Sequence, residues 1–310
     1  DSKGFIEAVP LYFGPQQFTA GPVYIGAVVW LLFFIGLFVI KRPIKWILVT
    51  LIIFSFVLAW GRYFPWITNL FLDYFPLYNK FRTVSMILVI AEFAVPLLGA
   101  IGIYYLWILD MELKEKTHIL LKSSGILLLM SIFFLVFGNL LFDFKSTSDG
   151  QFPSWFSDAL INDRVSMYQF DILRSMGLIL VATMIIYFSL TRYVKENTSW
   201  IYMLAVLIFV DMWFVNKRYF NNDSFVIKSK VETPFQIQDF DKLIKQDTST
   251  YRVYNLNERL DQGARTSYFH HSLGGYHGAK LGKYQELIDA HISKGNLNVI
   301  NMLNAKYIIS

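Results

Sequence analysis

Val84-Ser-Met-Ile-Leu-Val-Ile-Ala-Glu-Phe-Ala-Val-Pro-Leu-Leu-Gly-Ala-Ile-Gly-Ile-Tyr-Tyr-Leu-Trp107 is a run of 24 residues with one ionisable side chain, Glu92. A helix needs about 20 apolar residues to cross the hydrocarbon of a bilayer. This run has that length, and it decides the class of the protein. The run 119–141 is comparably long. Working outward, four more apolar runs cover 22–40, 44–60, 174–190 and 200–215. Three of these, 44–60, 174–190 and 200–215, are short and must recruit interfacial residues such as Trp60, Tyr193 and Trp200. The expectation is an α-helical polytopic membrane protein with about six transmembrane helices.

Composition agrees. Charged residues make up 16% of the chain, against about 25% in soluble domains. Mean hydropathy is +0.43. With 29 Phe, 18 Tyr and 8 Trp, a disordered chain is excluded. Cysteine is absent, so neither a disulfide framework nor a thiolate metal site can form. The net charge of +5 comes from basic residues beside the apolar runs, and no nucleic-acid partner is expected. The first residue is Asp1 and the last, Ser310, directly follows a strand-like run, so the chain is read as a piece of a longer protein.

Orientation follows from Lys and Arg in the short connections. Lys41, Arg42, Lys45, Lys114, Lys116, Lys122, Arg192 and Lys195 share one side, assigned to the cytoplasm. The connections 61–83 and 142–173 then lie outside, with the stretch 1–21 and the segment 216–310. A bacterial cytoplasmic (inner) membrane is the expected location. Segment 216–310 is polar and reads as an extracytoplasmic α/β domain, cut short at its end. Within it, Pro234–Gln246 is expected as an amphipathic helix with Thr233 as N-cap, and Tyr251–Tyr254 as a strand. Helices over Lys280–Ile292 and Asn298–Leu303 and a strand over Lys306–Ile309 complete it.

Familiar soluble chemistries have no support: there is no Walker loop, GxSxG, HExxH, or GxGxxG opening a soluble helix. Glu92 lies roughly 13 Å down its helix. An ionisable group at that depth costs about 2.5–3.5 kcal/mol, which marks it as a site candidate or as a protonated group bonded to a neighbouring helix. Pro96 cannot donate to the carbonyl of Glu92, so side chain and carbonyl together are expected to line a polar cavity. Asp211 in the last span either reaches the interface or pairs with Arg174 or Arg82. The aromatics of 61–83 read as an interface belt, and Lys80 and Arg82 behind them are well placed for a lipid phosphate. His270, His271, His277 and His291, with Glu286 or Asp289, make a divalent metal conceivable, but their spacing fits no standard pattern. No metal or other cofactor is therefore assigned.

Tyr12-Phe-Gly-Pro-Gln-Gln-Phe-Thr-Ala-Gly-Pro-Val-Tyr-Ile-Gly26 opens a span, and Pro76-Leu-Tyr-Asn-Lys-Phe-Arg82 precedes another. Gly274-Gly-Tyr-His-Gly-Ala-Lys-Leu-Gly-Lys-Tyr-Gln-Glu-Leu-Ile-Asp289 and Asn301-Met-Leu-Asn-Ala-Lys-Tyr-Ile-Ile309 follow. In this order, over nearly the whole chain, the pattern resembles the YfhO family of bacterial membrane proteins in its Bacteroidota form. The resemblance implies a glycosyltransferase of the GT-C type, which takes a sugar from a polyprenyl-phosphate carrier and glycosylates a cell-envelope polymer or glycan. Its partners would be the lipid bilayer, the polyprenyl-phosphate-linked sugar and an envelope glycan acceptor. The catalytic acid of that class is expected upstream of Asp1, so no catalytic residue is assigned. Substrate binding would fall to Lys80, Arg82 and Arg174 at the phosphate, Glu92 at the cavity, and Tyr276 and His277 over the acceptor. Two other readings stand beside it: a transporter or flippase of lipid-linked sugar, and a non-catalytic scaffold of an envelope complex.

Overall fold

The computed structural model describes residues 13–14, 23–80, 84–147, 149–191, 198–277 and 280–310. The chain divides into two compact units, Asp1–Asn221 and Asn222–Ser310.

The first unit is a helical bundle. Its helices are α1 (Ala27–Val39), α2 (Ile44–Ala59), α3 (Pro65–Tyr74), α4 (Val89–Ile108), α5 (Leu113–Leu141), α6 (Ser154–Leu190) and α7 (Ser199–Tyr219). A 3₁₀ stretch, Val84–Leu88, leads into α4. Among the described residues, four helices are long and apolar enough to cross a membrane: Val84–Ile108, Leu113–Leu141, Ser154–Leu190 and Ser199–Tyr219. The two other expected spans form shorter apolar helices of 13 and 16 residues. At 1.5 Å per residue these reach about 20 and 24 Å, less than the ~30 Å of hydrocarbon. The first run begins its helix late because Gly26 has φ +101°, and Lys41-Arg42-Pro43 separates it from the next.

α1 has no polar side chain, and it is the innermost helix. Val28, Leu31 and Ile35 are fully buried, and α1 packs on α4, α5, α6 and α7. A helix that is apolar all round belongs inside. Its approach to α4 depends on glycine. A Cβ at Gly36 would lie 2.5 Å from the carbonyl oxygen of Leu98, and one at Gly102 would lie 2.4 Å from the Cα of Gly36. Small residues let membrane helices meet backbone to backbone. The outward faces are apolar too: Leu129, Phe133, Val136 and Leu140 on α5, and Val206, Phe209 and Phe214 on α7, are all exposed. Such a surface suits lipid rather than water.

Basic residues close the helix ends. Lys45 Nζ donates to the carbonyl of Leu37 near the end of α1 (3.0 Å), and Lys116 Nζ to that of Trp107 in α4 (3.2 Å). Cations near helix C-termini satisfy orphan carbonyls and oppose the dipole. Arg192 and Lys195 lie outside the described residues, as does 1–21 apart from Phe13 and Gly14.

Two expected loops contain helix. Within 61–83, Pro65 starts α3. Within 142–173, α6 begins at Ser154 and runs on for 37 residues, because no Pro or Gly interrupts 154–176. The remaining loop is pinned by Arg164, which is fully buried. Arg164 donates to both oxygens of Asp149 (2.6 and 2.9 Å) and to the carbonyl of Phe144 (3.0 Å). Burial pushes the Asp149 carboxyl up. Hydrogen bonds from Arg164 and the Ser146 amide outweigh this and hold it below the ordinary range.

The second unit contains α8 (Lys228–Glu232), α9 (Asp239–Ile244), β1 (Arg252–Asn255), α10 (Arg265–Phe269), α11 (Gly282–Ala290), α12 (Leu297–Met302) and β2 (Ala305–Ile309). The strands pair in parallel, with Val253 opposite Tyr307 and Tyr254 opposite Ile308. Tyr254, Leu273, Ile288, Ile292 and Ile300 form the core. The single helix expected over Pro234–Gln246 is replaced by a 3₁₀ turn, Thr233–Phe235, and the short α9. Thr233 does not act as its cap, since its hydroxyl donates to the carbonyl of Ser229 (2.6 Å). A capping box of Gln238 and Asp241 starts α9 instead.

Asp241 is fully buried and ties this region together. It accepts from the Gln238 amide (2.9 Å) and from Arg265, and faces His270 Nε2 at 2.8 Å. Burial raises its pKa, but the hydrogen bonds from Arg265, Gln238 and His270 prevail and hold it below the ordinary value of 3.8.

Two outcomes are expected. Gly102→Val destabilises the bundle by about 1–3 kcal/mol through overpacking. Gly125→Ala, with no atom within 4 Å of the new Cβ, is neutral or stabilising by up to ~1 kcal/mol. Thermal unfolding in detergent checks both. Because the folded pKa of Asp241 is depressed, its contribution is present above the unfolded value of 3.8 and is lost as pH falls through the folded one. Acid titration of the second unit's unfolding is therefore expected to be less steep for Asp241→Asn than for the wild type.

Candidate functional site

The first unit encloses a pocket of about 710 Å³ lined from α1, α5, α6 and α7. Its wall is mostly apolar, with Trp30, Phe34, Met130, Phe134 and Phe142. One polar cluster interrupts it: Asp171 and Arg174 on α6, Arg218 on α7, and Tyr24 just before α1.

Helical spacing sets the cluster. Asp171 and Arg174 are three residues apart on one face of α6 and bridge at 3.6 Å. Arg218, in the last turn of α7, grips Asp171 with both terminal nitrogens (2.7 and 2.8 Å). Arg174 also lies 3.6 Å from Asp211 and donates to Tyr24 Oη at 3.2 Å. Tyr24 Oη in turn donates to Asp211 Oδ1 at 2.7 Å.

Asp211 sits behind this cluster, with only 1% of its side chain exposed. It does not reach the interface. Its Oδ2 accepts the backbone N–H of Ala27 at 2.8 Å. The physical reason lies in α1, whose N-cap is Gly26 and whose first N–H groups have no local side-chain acceptor. A carboxylate from another helix supplies one where the dipole favours negative charge. A Cβ at Gly26 would come within 3.3 Å of Asp211 Oδ2.

Two guanidinium groups and two carboxylates leave the cluster formally neutral, but it is not uniformly sealed. Asp171 is 31% and Arg218 21% exposed. Arg174 Nε is buried with no hydrogen-bond partner among the described residues. An orphaned donor of this kind costs about 1–3 kcal/mol, which an incoming acceptor oxygen would recover. The arrangement can take an anionic head group in place of Asp171, with an apolar tail along the aromatic wall. Guanidinium groups bind phosphate bidentately.

Of the residues singled out in the sequence, Arg174 is in this pocket. Glu92 is not. Ala91, Ala94, Val95 and Leu98 carry the buried stripe of α4, and Glu92 falls on its exposed side. The cavity expected around Glu92 and the carbonyl freed by Pro96 is therefore replaced by the pocket lined from α1, α5, α6 and α7. Lys80 belongs to a 3₁₀ turn, Tyr78–Lys80, but its side chain and the whole of Arg82 lie outside the described residues. Tyr276 is 80% exposed, and His277 lines a separate hollow in the second unit. Among the described residues no three His, Asp or Glu side chains converge as a metal site requires. Sequence reasoning missed Tyr24, Asp171 and Arg218. The i,i+3 spacing of Asp171 and Arg174 was the available signal.

No protein-family model, no curated protein and no solved structure matches the chain.

Asp211→Ala leaves the Ala27 N–H and the Tyr24 hydroxyl without their acceptor and Arg174 without one of its two carboxylates, and is expected to cost on the order of 3–5 kcal/mol. Asp211→Asn keeps an acceptor for Ala27 and is expected to cost less. Thermal unfolding in detergent decides; an equal loss from both would remove the capping role.

Proposed function

We propose that the chain binds a lipid-linked phosphate within the membrane, as part of a GT-C-type glycosyltransferase-like protein that uses a polyprenyl-phosphate sugar donor. The observation that carries this reading is the joining of an apolar aromatic wall to a double-arginine cluster with an orphaned donor. An isoprenoid tail matches the wall, and a phosphate matches the cluster. The resemblance to the YfhO family supplies the sugar and the envelope glycan acceptor. On this reading α1 and α2 complete six membrane-embedded helices, and 222–310 lies outside the bacterial cytoplasmic membrane.

In glycosyl transfer the acceptor oxygen bonds to the anomeric carbon, and the bond from that carbon to the carrier phosphate breaks. The electron pair leaves with the phosphate, and the proton of the acceptor hydroxyl passes to a general base. Arg218 and Arg174 would stabilise the charge that develops there, which is the electrostatic role a preorganised site performs best. Asp171 would hold the two cations in place until the donor enters. Lys80, Arg82 and Glu92 take no part in this version of the site.

The test is retention of a short-chain polyprenyl phosphate by the full chain in detergent, read by native mass spectrometry. Arg218→Gln is expected to weaken retention about tenfold, roughly 1.4 kcal/mol. Ser131→Trp, which fills the wall, is expected to block it. Unchanged retention in both variants would remove the pocket from donor binding. With binding intact, transfer of labelled sugar to glycan marks an enzyme, and transbilayer movement alone marks a transporter of lipid-linked sugar.

A further inference from the structure

A hollow of about 640 Å³ lies in the second unit, between β1, the loop around His270–His277, and α11. Its polar lining is Arg252, Lys280, His270, His271, His277 and two serines, Ser267 and Ser272. No carboxylate lines it. The Arg252 amide donates to the carbonyl of Asn304 (2.8 Å), and its guanidinium lines the hollow with no hydrogen bond or ion pair among the described residues. Lys280 Nζ donates only to the neutral amide oxygen of Gln285 (3.1 Å). Asp261, the acid whose field reaches Lys280, is already held by Arg259 at 3.0 Å. Two cations, an exposed Arg252 and a partly buried Lys280, therefore line one cavity that has no carboxylate among its described lining residues.

The hollow is also built rather than incidental. Its loop is tied to the sheet: the Val253 amide donates to the carbonyl of His271 (2.8 Å), and the Leu273 amide to that of Val253 (3.0 Å). The Gly275 amide donates to the carbonyl of Leu260 (2.8 Å), and Gly275 takes φ +136°, which a side chain would resist. Tyr284 Oη donates to the carbonyl of Leu273 from α11. His270 has 1% of its side chain exposed, and buried Asp241 fixes its ring through Nε2. With Nε2 so engaged, Nδ1 is left buried with no partner among the described residues. A carboxylate behind an imidazole fixes its ring and tautomer in the manner of an orienting partner.

We infer that this hollow binds an anionic, hydroxyl-bearing ligand of about monosaccharide size, such as a phosphorylated or carboxylated sugar. Arg252 and Lys280 take the anion. The serine hydroxyls and imidazoles, which both give and accept hydrogen bonds, take the ligand's hydroxyl groups. An apolar acid would leave the buried Nδ1 of His270 without a partner, and a neutral sugar would place no charge opposite Arg252 and Lys280. The volume is in the range of small-molecule sites, roughly 300–1,000 Å³. The inference stands on residues of the second unit alone, so its failure leaves the lipid-phosphate reading untouched.

The experiment is titration calorimetry on the full chain in detergent with glucose 6-phosphate, glucuronate and glucose. At least one charged sugar is expected to bind at millimolar concentration or below, and glucose about tenfold more weakly or not at all. Binding of only the phosphate or only the carboxylate supports the inference and fixes the anion. The double variant R252Q/K280Q is expected to weaken that binding at least tenfold at an unchanged unfolding temperature, while Arg218→Gln in the membrane pocket leaves it intact. Absence of binding by both charged sugars overturns the inference. So does equal affinity for glucose, or loss of binding in Arg218→Gln but not in the double variant.

Discussion

A carboxylate placed where a helix begins holds the bundle in register. Asp211 accepts the amide of Ala27 and the hydroxyl of Tyr24, with Arg174 3.6 Å away. The innermost helix has no cap of its own, and its first N–H groups would otherwise face a medium that offers no water. Fixing that end sets the depth of α1 against α7. Arg174, drawn to the same carboxylate, adds α6. The glycine contacts between α1 and α4 then decide how closely the fourth partner can approach.

The pocket follows from the same constraint. Arg174 lies between Asp211 and Asp171, 3.6 Å from each, and in that position its Nε has no acceptor among the described residues. Arg218 and Asp171 complete the cluster at its more exposed side. Aromatic side chains of α1, α5, α6 and α7, with Phe13 and Phe142, form much of the rest. The network thus has two parts: Asp211, buried, caps α1, while the Asp171–Arg218 pair stays partly open to the pocket. The second unit repeats the logic on a smaller scale, where buried Asp241 orders both the start of α9 and the ring of His270.

Several elements were legible before any coordinates. Two of the long spans, α4 and α5, follow from run length alone, whereas the runs 174–190 and 200–215, short in sequence, lie within the longer helices α6 and α7; in the second unit β1, α11, α12 and β2 fall within two residues of the expected bounds. The misread elements have local causes. α1 and α2 are short because Gly26 and Lys41-Arg42-Pro43 interrupt the apolar runs. The first half of α6 was taken for a loop because it is polar, although it holds no helix breaker from 154 to 176. α9 restarts at a capping box with Gln at the N-cap, a weaker sequence signal than Thr before Pro.

What the sequence determined by itself was the medium: long apolar runs with basic flanks belong in lipid, and a polar segment with alternating and helical patterns folds apart from them. What only the tertiary structure decided was which face of each helix looks inward. In water that face is marked by being apolar, but a lipid-facing surface is as apolar as the interior, so the mark disappears. Asp211 lies on the stripe of Trp200, Leu204 and Val215, which is buried, while Glu92 lies beside the stripe of Ala91, Ala94 and Val95, which excludes it. Both acids look alike in sequence, as lone charges in apolar helices. Only packing told the structural carboxylate from the exposed one.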